Sequence, residues 1–131
     1  MTTNQSKLFD VAKHLGDLNK QGCVKGFNGN ENGYAKIIQI CRGCSIWIHH
    51  ELNETLIIDL LISPSAQKSY PEKCSRAVRL FKEFFSFSVD NSKWIHAIDT
   101  QNEHDRYYVN ATDLSTEEII KTCNEIKRIY A

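Results

Sequence analysis

Three apolar runs follow one another with almost no chain between them: Tyr34 to Cys41, Cys44 to Glu51 and Thr55 to Ser63. The links between the runs are two and three residues long. Links this short cannot hold a crossover helix, so consecutive strands must be antiparallel. The sequence therefore predicts a three-stranded β-meander.

The two faces of the predicted middle strand differ in chemistry, because successive side chains of a strand point to opposite faces. One face carries Cys44, Ile46, Ile48 and His50, and the other carries Ser45, Trp47 and His49. The third run is apolar on both faces. We expect it to lie centrally in the sheet or beneath a helix.

The N-terminal segment has helical periodicity over about residues 5 to 19. Thr3 or Ser6 is available as its cap, and the helix is expected to end at Gly22. The glycine- and asparagine-rich stretch that continues to Gly33 favours turns, and we interpret it as a surface loop.

Two further helices follow the meander. The first begins at Ser69 with Pro71 in its first turn, and the second begins at Ser115, which forms a capping box with Glu118. Apolar side chains recur at helical spacing in both, namely Cys74, Ala77, Val78, Phe81, Phe84 and Phe85 in the first and Ile119, Ile120, Cys123, Ile126 and Tyr130 in the second. Each helix therefore has a face that can cover a sheet.

A second hairpin is predicted between these helices, with strands Lys93 to Asp99 and Arg106 to Asn110 joined by the polar turn Thr100 to Asp105. The complete prediction is an α+β fold in one domain, residues 1–131. Its antiparallel sheet has about five strands, the element order is α-βββ-α-ββ-α, and the helices pack mainly on one face.

Composition and charge exclude several classes of protein. Of the 131 residues 41% are hydrophobic, and 16 basic side chains balance 16 acidic ones, so no strong field exists to attract a nucleic acid. The first residues do not resemble a signal peptide. The longest apolar cluster, Thr55 to Ile62, contains Asp59 and is too short to span a membrane. We expect a cytoplasmic protein without a membrane or nucleic-acid partner.

The five cysteines are an odd number spread through apolar segments, which favours reduced thiols in the core. Cys41 and Cys44, with His49 and His50 further along, superficially offer a set of zinc ligands. The two pairs lie at opposite ends of one strand, about 17 Å apart, and the histidines point to opposite faces. We therefore expect no metal and no cofactor.

Catalytic signatures are also missing from the sequence. None of the five histidines lies in a recognised local motif beside a nucleophile. Carboxylates gather around the second hairpin at Asp99, Glu103, Asp105 and Asp113. They could act as acid and base, hold a divalent ion, dock onto a basic partner, or form an ordinary solvated loop. We expect a protein that is not an enzyme.

The order helix, meander, helix, hairpin, helix resembles the small secretion-chaperone fold, whose members dimerise and hold unfolded effector segments. It is also similar to the small α/β scaffold of many immunity proteins, which neutralise toxins of interbacterial competition. Both resemblances span the whole chain and rest on the order of the elements.

The leading hypothesis is a cytosolic immunity or inhibitor protein that binds and neutralises a toxin. Its candidate partner-binding residues are Asp99, Glu103, His104 and Asp105 on the acidic hairpin, with Trp47, His49 and Trp94 as aromatic anchors if their strand faces are exposed. One alternative is a type III secretion-like chaperone for an effector segment. The other is a small metal-dependent hydrolase or nuclease using His49, His50 or the carboxylates. The sequence leaves open whether the protein is a monomer or a homodimer.

Overall fold

The computed structural model describes residues 2–25, 33–51, 54–85, 88–92 and 104–131, of which residues 88–92 are described by their backbone alone. In these ranges the elements are α1 (Thr3–Leu15), β1 (Gly33–Cys41), β2 (Cys44–His50), β3 (Leu56–Ile62), α2 (Pro64–Ser69), α3 (Pro71–Phe84), β4 (Ser88–Ser92), β5 (His104–Asn110) and α4 (Thr116–Tyr130). The strands form one antiparallel sheet in the order β1-β2-β3-β5-β4. The predicted α+β class is confirmed, and the predicted element order is matched only roughly.

The meander is formed by β1, β2 and β3, as the short links require. All seven side chains of β3 are buried, and this strand lies between β2 and β5. The expectation that the third run lies centrally is confirmed. Its apolar residues on both faces are therefore explained by burial on both faces.

Helix α1 begins and ends earlier than predicted. Its N-cap is Thr2, which forms a capping box with Gln5, so the predicted cap at Thr3 or Ser6 is wrong. Its C-cap is Gly16, in the left-handed conformation with φ 71°, and not Gly22. Gly16 ends the helix because its N–H bonds back to carbonyl groups of the last turn. Most of the loop that was predicted up to Gly33 lies outside the described residues.

The short helix α2 is absent from the prediction. Ser63 is its N-cap and accepts a hydrogen bond from the N–H of Ala66, while Pro64 occupies the first helical turn. The predicted helix after the meander begins only at Ser69, which is the last residue of α2. Tyr70 then separates α2 from α3, which begins at Pro71.

The second hairpin differs from the prediction. The strand that pairs with β5 is β4, Ser88–Ser92, whereas the predicted partner Lys93–Asp99 lies outside the described residues. His104 and Asp105 belong to β5 and not to a turn, because their backbone pairs with the neighbouring strands. The predicted turn is therefore wrong at these two positions.

The core lies between the helices and one face of the sheet, which we call the helix face. It is formed by Ala35, Ile46, Ile48, Leu56, Ile58, Leu60 and Ile62 of the sheet, packed against Leu8 and Val11 of α1, Phe81 of α3, and Ile119 and Ile126 of α4. We call the opposite face of the sheet the far face. Among the helices of the described residues, none is long and apolar enough to cross a membrane.

Candidate functional site

A row of side chains crosses three strand boundaries on the far face. Lys36 of β1 lies opposite Trp47 of β2, Trp47 lies opposite Asp59 of β3, and Asp59 lies opposite Tyr108 of β5. Residues directly opposite one another in an antiparallel pair share a face, and their side chains are neighbours. Arg106, two positions before Tyr108, lies on the same face.

Four charged side chains form a closed network within this face. The Nδ1 atom of His49 pairs with the carboxylate of Asp59, and the Nε2 atom of His49 lies 3.1 Å from Oε1 of Glu51. Arg106 donates from Nε to Oδ1 of Asp59 over 2.6 Å and from Nη2 to Oε1 of Glu51 over 2.8 Å. The guanidinium of Arg106 and the imidazole of His49 therefore each bind both carboxylates.

Burial makes this network costly unless its charges balance. Asp59 is fully buried, His49 is 1% exposed, Arg106 is 13% exposed and Glu51 is 32% exposed. Charges removed from water are tolerated only when they are paired and hydrogen-bonded. With His49 protonated, two cations face two carboxylates and the net charge of the network is zero.

The surroundings of His49 favour its protonated form. Burial lowers the pKa of His49, but the paired Asp59 carboxylate and the hydrogen bond with Glu51 outweigh both burial and the repulsion from Arg106, and raise it to about 9. The hydrogen bond with His49 is the largest cause that lowers the pKa of Glu51, and with Arg106 it brings that pKa to about 2. At neutral pH the imidazole of His49 is a cation and not a free base.

His50, the next residue, has the opposite character. Its side chain points to the helix face, and burial lowers its pKa. Its Nε2 atom lies 3.8 Å from the carboxylate of Glu54. Neighbouring histidines therefore differ in protonation because the strand turns them to opposite faces. The predicted orientation of the two histidines to opposite faces of the strand is confirmed.

Aromatic rings and cations lie on the same face of the sheet as the network. The rings of Tyr34 and Trp47 meet edge to face, with centroids 5.4 Å apart and planes at 69°. The ammonium group of Lys36 lies 5.0 Å from the Trp47 ring, and the guanidinium of Arg106 lies 4.6 Å from the Tyr108 ring. These side chains are half-buried. Contacts of this kind orient both the ring and the cation.

The predicted partner-binding residues are divided between the two faces. Trp47 lies half-buried on the far face, and His104 shares that face by alternation with Arg106. His49 is also on the far face but is buried, so it does not meet the condition of an exposed anchor. Asp105 lies opposite Ile62 on the helix face, where it accepts a hydrogen bond from Gln67 over 2.6 Å.

Three other predicted residues, Trp94, Asp99 and Glu103, lie outside the described residues. Six residues of the far-face site were not predicted as site residues: Tyr34, Lys36, Glu51, Asp59, Arg106 and Tyr108. Asp59 carried a usable signal, because a charge inside a strand that is apolar on both faces requires a buried partner. No sequence pattern indicates a buried partner for Glu51, Arg106 or Tyr108, because their neighbours are determined by strand pairing.

One group of metal-ligand type occurs in the part of the chain that the structure describes. The Sγ atoms of Cys41, Cys44 and Cys74 all lie within 4.8 Å of one another. Neither His49 nor His50 belongs to this group.

Comparison with known proteins identifies no relative: no protein-family model, no curated protein and no solved structure matches the chain. The far face and the cysteine group are therefore the features from which a function can be inferred.

Proposed function

We propose that this protein is a binding module of the immunity or inhibitor type, which captures a partner protein on the far face of its sheet. The observation that supports this proposal is the half-buried layer of Tyr34, Trp47 and Tyr108, with Lys36 and Arg106 against the rings. Tryptophan, tyrosine and arginine are the residue types that dominate binding energy at protein interfaces.

Preorganisation strengthens this proposal. Arg106 is held by Asp59 and Glu51 while it contacts the ring of Tyr108. Lys36, besides its contact with Trp47, donates a hydrogen bond to Gln39 over 2.8 Å. Side chains that are already ordered lose less conformational entropy when a partner binds. The buried network therefore acts as a support for the binding surface.

The same network argues against a catalytic role for His49. Its two ring nitrogens face Asp59 and Glu51, and Arg106 lies 3.4 Å from Nε2. A general base needs an unprotonated nitrogen within reach of its substrate. The raised pKa and the burial of His49 supply neither.

The chemistry of the expected partner follows from the charges that reach the surface. Lys36 is half-buried beside Trp47, while the carboxylate of Asp59 is fully buried. We therefore expect a partner surface with carboxylates next to apolar groups. Asp105 faces the helices, so an acidic contact at that position would belong to a different surface.

The chaperone alternative has less support. It requires an exposed apolar groove for an extended segment. Within the described ranges, Tyr70 is the large hydrophobic side chain that is exposed, at 39%. Light scattering after size-exclusion chromatography helps to distinguish the inhibitor from the chaperone, because it measures the oligomeric state. A stable dimer that also binds an unfolded segment would favour the chaperone.

The deciding experiment measures binding to the protein encoded by the adjacent gene. Trp47→Ala should weaken that affinity at least about tenfold, as expected for an interface anchor. Tyr70→Ala is the matched control, because it removes an exposed ring from the helix side and should change the affinity less than about twofold. Circular dichroism checks that both variants fold. Equal affinities for the two variants and the unmodified protein would contradict the proposal.

A further inference from the structure

The three cysteines of the group come from two parts of the fold. Cys41 and Cys44 are directly opposite each other across the turn that joins β1 and β2. A two-residue link places its flanking side chains on the same face, and here that is the helix face, where Cys44 is fully buried. Cys74, on the buried side of α3, is 5% exposed.

We propose that Cys41, Cys44 and Cys74 form a three-thiolate site for a thiophilic metal ion, with Zn²⁺ as the expected occupant. Zinc binds cysteine sulfur at about 2.3 Å, so the sulfur atoms of a tetrahedral site lie about 3.8 Å apart. The three Sγ atoms already lie within 4.8 Å of one another. Small side-chain adjustments would bring them to bonding distance.

The turn that carries two of the thiols is fixed in position. Gly43 has φ 84°, and its carbonyl accepts a hydrogen bond from the N–H of Ser63 over 2.8 Å. A Cβ atom at Gly43 would lie 2.3 Å from the Oγ atom of Ser63. The turn therefore packs tightly against the N-cap of α2, which holds Cys41 and Cys44 ready for a ligand.

Binding of a cation at this group must displace protons from its thiols. Burial raises the pKa of Cys44 and of Cys74, and the neighbouring thiols raise the pKa of Cys44 further. Without a metal these thiols are neutral, whereas Zn²⁺ would stabilise the thiolate forms. Cys74 lies in the first turn of α3, where the helix dipole also favours negative charge.

Cys74 also connects the group to solvent. It lines an open cleft of about 260 Å³ together with Gln67, Asp105 and Tyr107. A metal ion can reach the thiols by this route. Tetrahedral zinc takes four ligands, so three thiolates leave one position for water or for a ligand in the cleft.

The first test titrates reduced, metal-free protein with Zn²⁺ in a calorimeter, in buffers that differ in ionisation enthalpy. We expect one ion per chain and the release of roughly two to three protons, because neutral thiols must ionise to bind. Cys41, the half-buried member of the group, should become protected from alkylation, while the exposed Cys23 stays reactive. Protection without zinc through a Cys41–Cys44 disulfide, or binding without thiol protection, would overturn the proposal.

The second test uses variants in a matched background. Cys23→Ser with Cys123→Ala removes the other two cysteines and should leave zinc affinity within about twofold, since neither belongs to the group. Adding Cys74→Ala or Cys41→Ser to that background should lower the affinity for zinc more than about 100-fold. Substitution of residues that only support metal ligands already costs roughly 10- to 100-fold in metal affinity, so loss of a ligand should cost more. Circular dichroism monitors folding, and an unchanged affinity in either folded variant would disprove the site.

Discussion

His49 and Asp59 form a buried ion pair between neighbouring strands of the sheet. Asp59 lies opposite Trp47 and His49 lies opposite Ile57, so the pair is diagonal across β2 and β3. Diagonal neighbours on one face are within reach of long side chains. Arg106 of β5 and Glu51 complete the network, which therefore connects β2, β3 and β5 on the far face.

Removal of one carboxylate from this network should destabilise the fold strongly. Asp59→Asn leaves His49 and Arg106 as buried cations that share one carboxylate, and loss of one partner of a buried pair costs about 3–5 kcal/mol. Urea unfolding measures this change. Asp10→Asn, on the exposed side of α1, is the matched control and should alter stability by less than about 0.5 kcal/mol. A similar small effect for both variants would show that the network contributes little.

The stability of the protein should decrease between pH 6.5 and 9. The pKa of His49 is raised from 6.5 to about 9, so the folded state holds a proton that the unfolded chain has already lost. The stabilisation is complete below pH 6.5 and disappears as the pH rises through about 9, a change of at most about 3 kcal/mol. His50, whose pKa is lowered, is neutral in both states above pH 6.5 and does not contribute there.

Acid should also destabilise the protein, for a different reason. The pKa of Glu51 is lowered from 4.5 to about 2, so its contribution is present above pH 4.5 and is lost as the pH falls towards 2. Urea midpoints measured across the pH range should therefore have a maximum near pH 6.5. His49→Gln should remove the alkaline decrease, whereas His14→Gln, an exposed position on α1, should retain it. A decrease of equal size in both variants would contradict the assignment to His49.

Replacement of Gly43 should separate steric conflict from backbone strain. Gly43→Ala combines a left-handed φ of 84° with a contact of 2.3 Å to Ser63, and we expect a loss of about 2–4 kcal/mol. Gly16→Ala has a similar φ of 71° but no neighbour within 4 Å, so it should cost only about 1 kcal/mol. Thermal or urea unfolding compares the two. Equal losses would mean that Ser63 moves aside.

Charge reversal at the far face should affect binding more than stability. Lys36→Glu places a carboxylate over the Trp47 ring and opposite the expected acidic partner, so affinity for the partner should fall at least about tenfold. Lys121→Glu, on the exposed side of α4, is the control for net charge. Association rates at low and high salt should separate the two variants. A partner that binds the Lys36 variant more tightly would indicate a basic contact surface.

Local features of the sequence predicted the elements whose formation depends on near neighbours. The short links determined the antiparallel meander, and the capping box of Ser115 with Glu118 is confirmed at the start of α4. The boundaries of α1 were predicted less well: Thr2 and Gln5 have the same capping-box spacing and were overlooked, and Gly16 ends the helix in a left-handed conformation that apolar periodicity does not show. Helix α2 was missed although Ser63 followed by Pro64 is a helix-start signal, because its six residues are too few to show apolar periodicity.

The sequence by itself determined which side chains share a face of a strand, because alternation along a strand is a local property. It thereby separated His49 from His50 and placed Trp47 with His49. Only the tertiary structure decided which strands and helices meet, and hence that Asp59 and Arg106 pair across the sheet and that Cys74 of α3 joins Cys41 and Cys44. These contacts depend on strand register and helix packing between residues distant in the chain, and no local pattern encodes them.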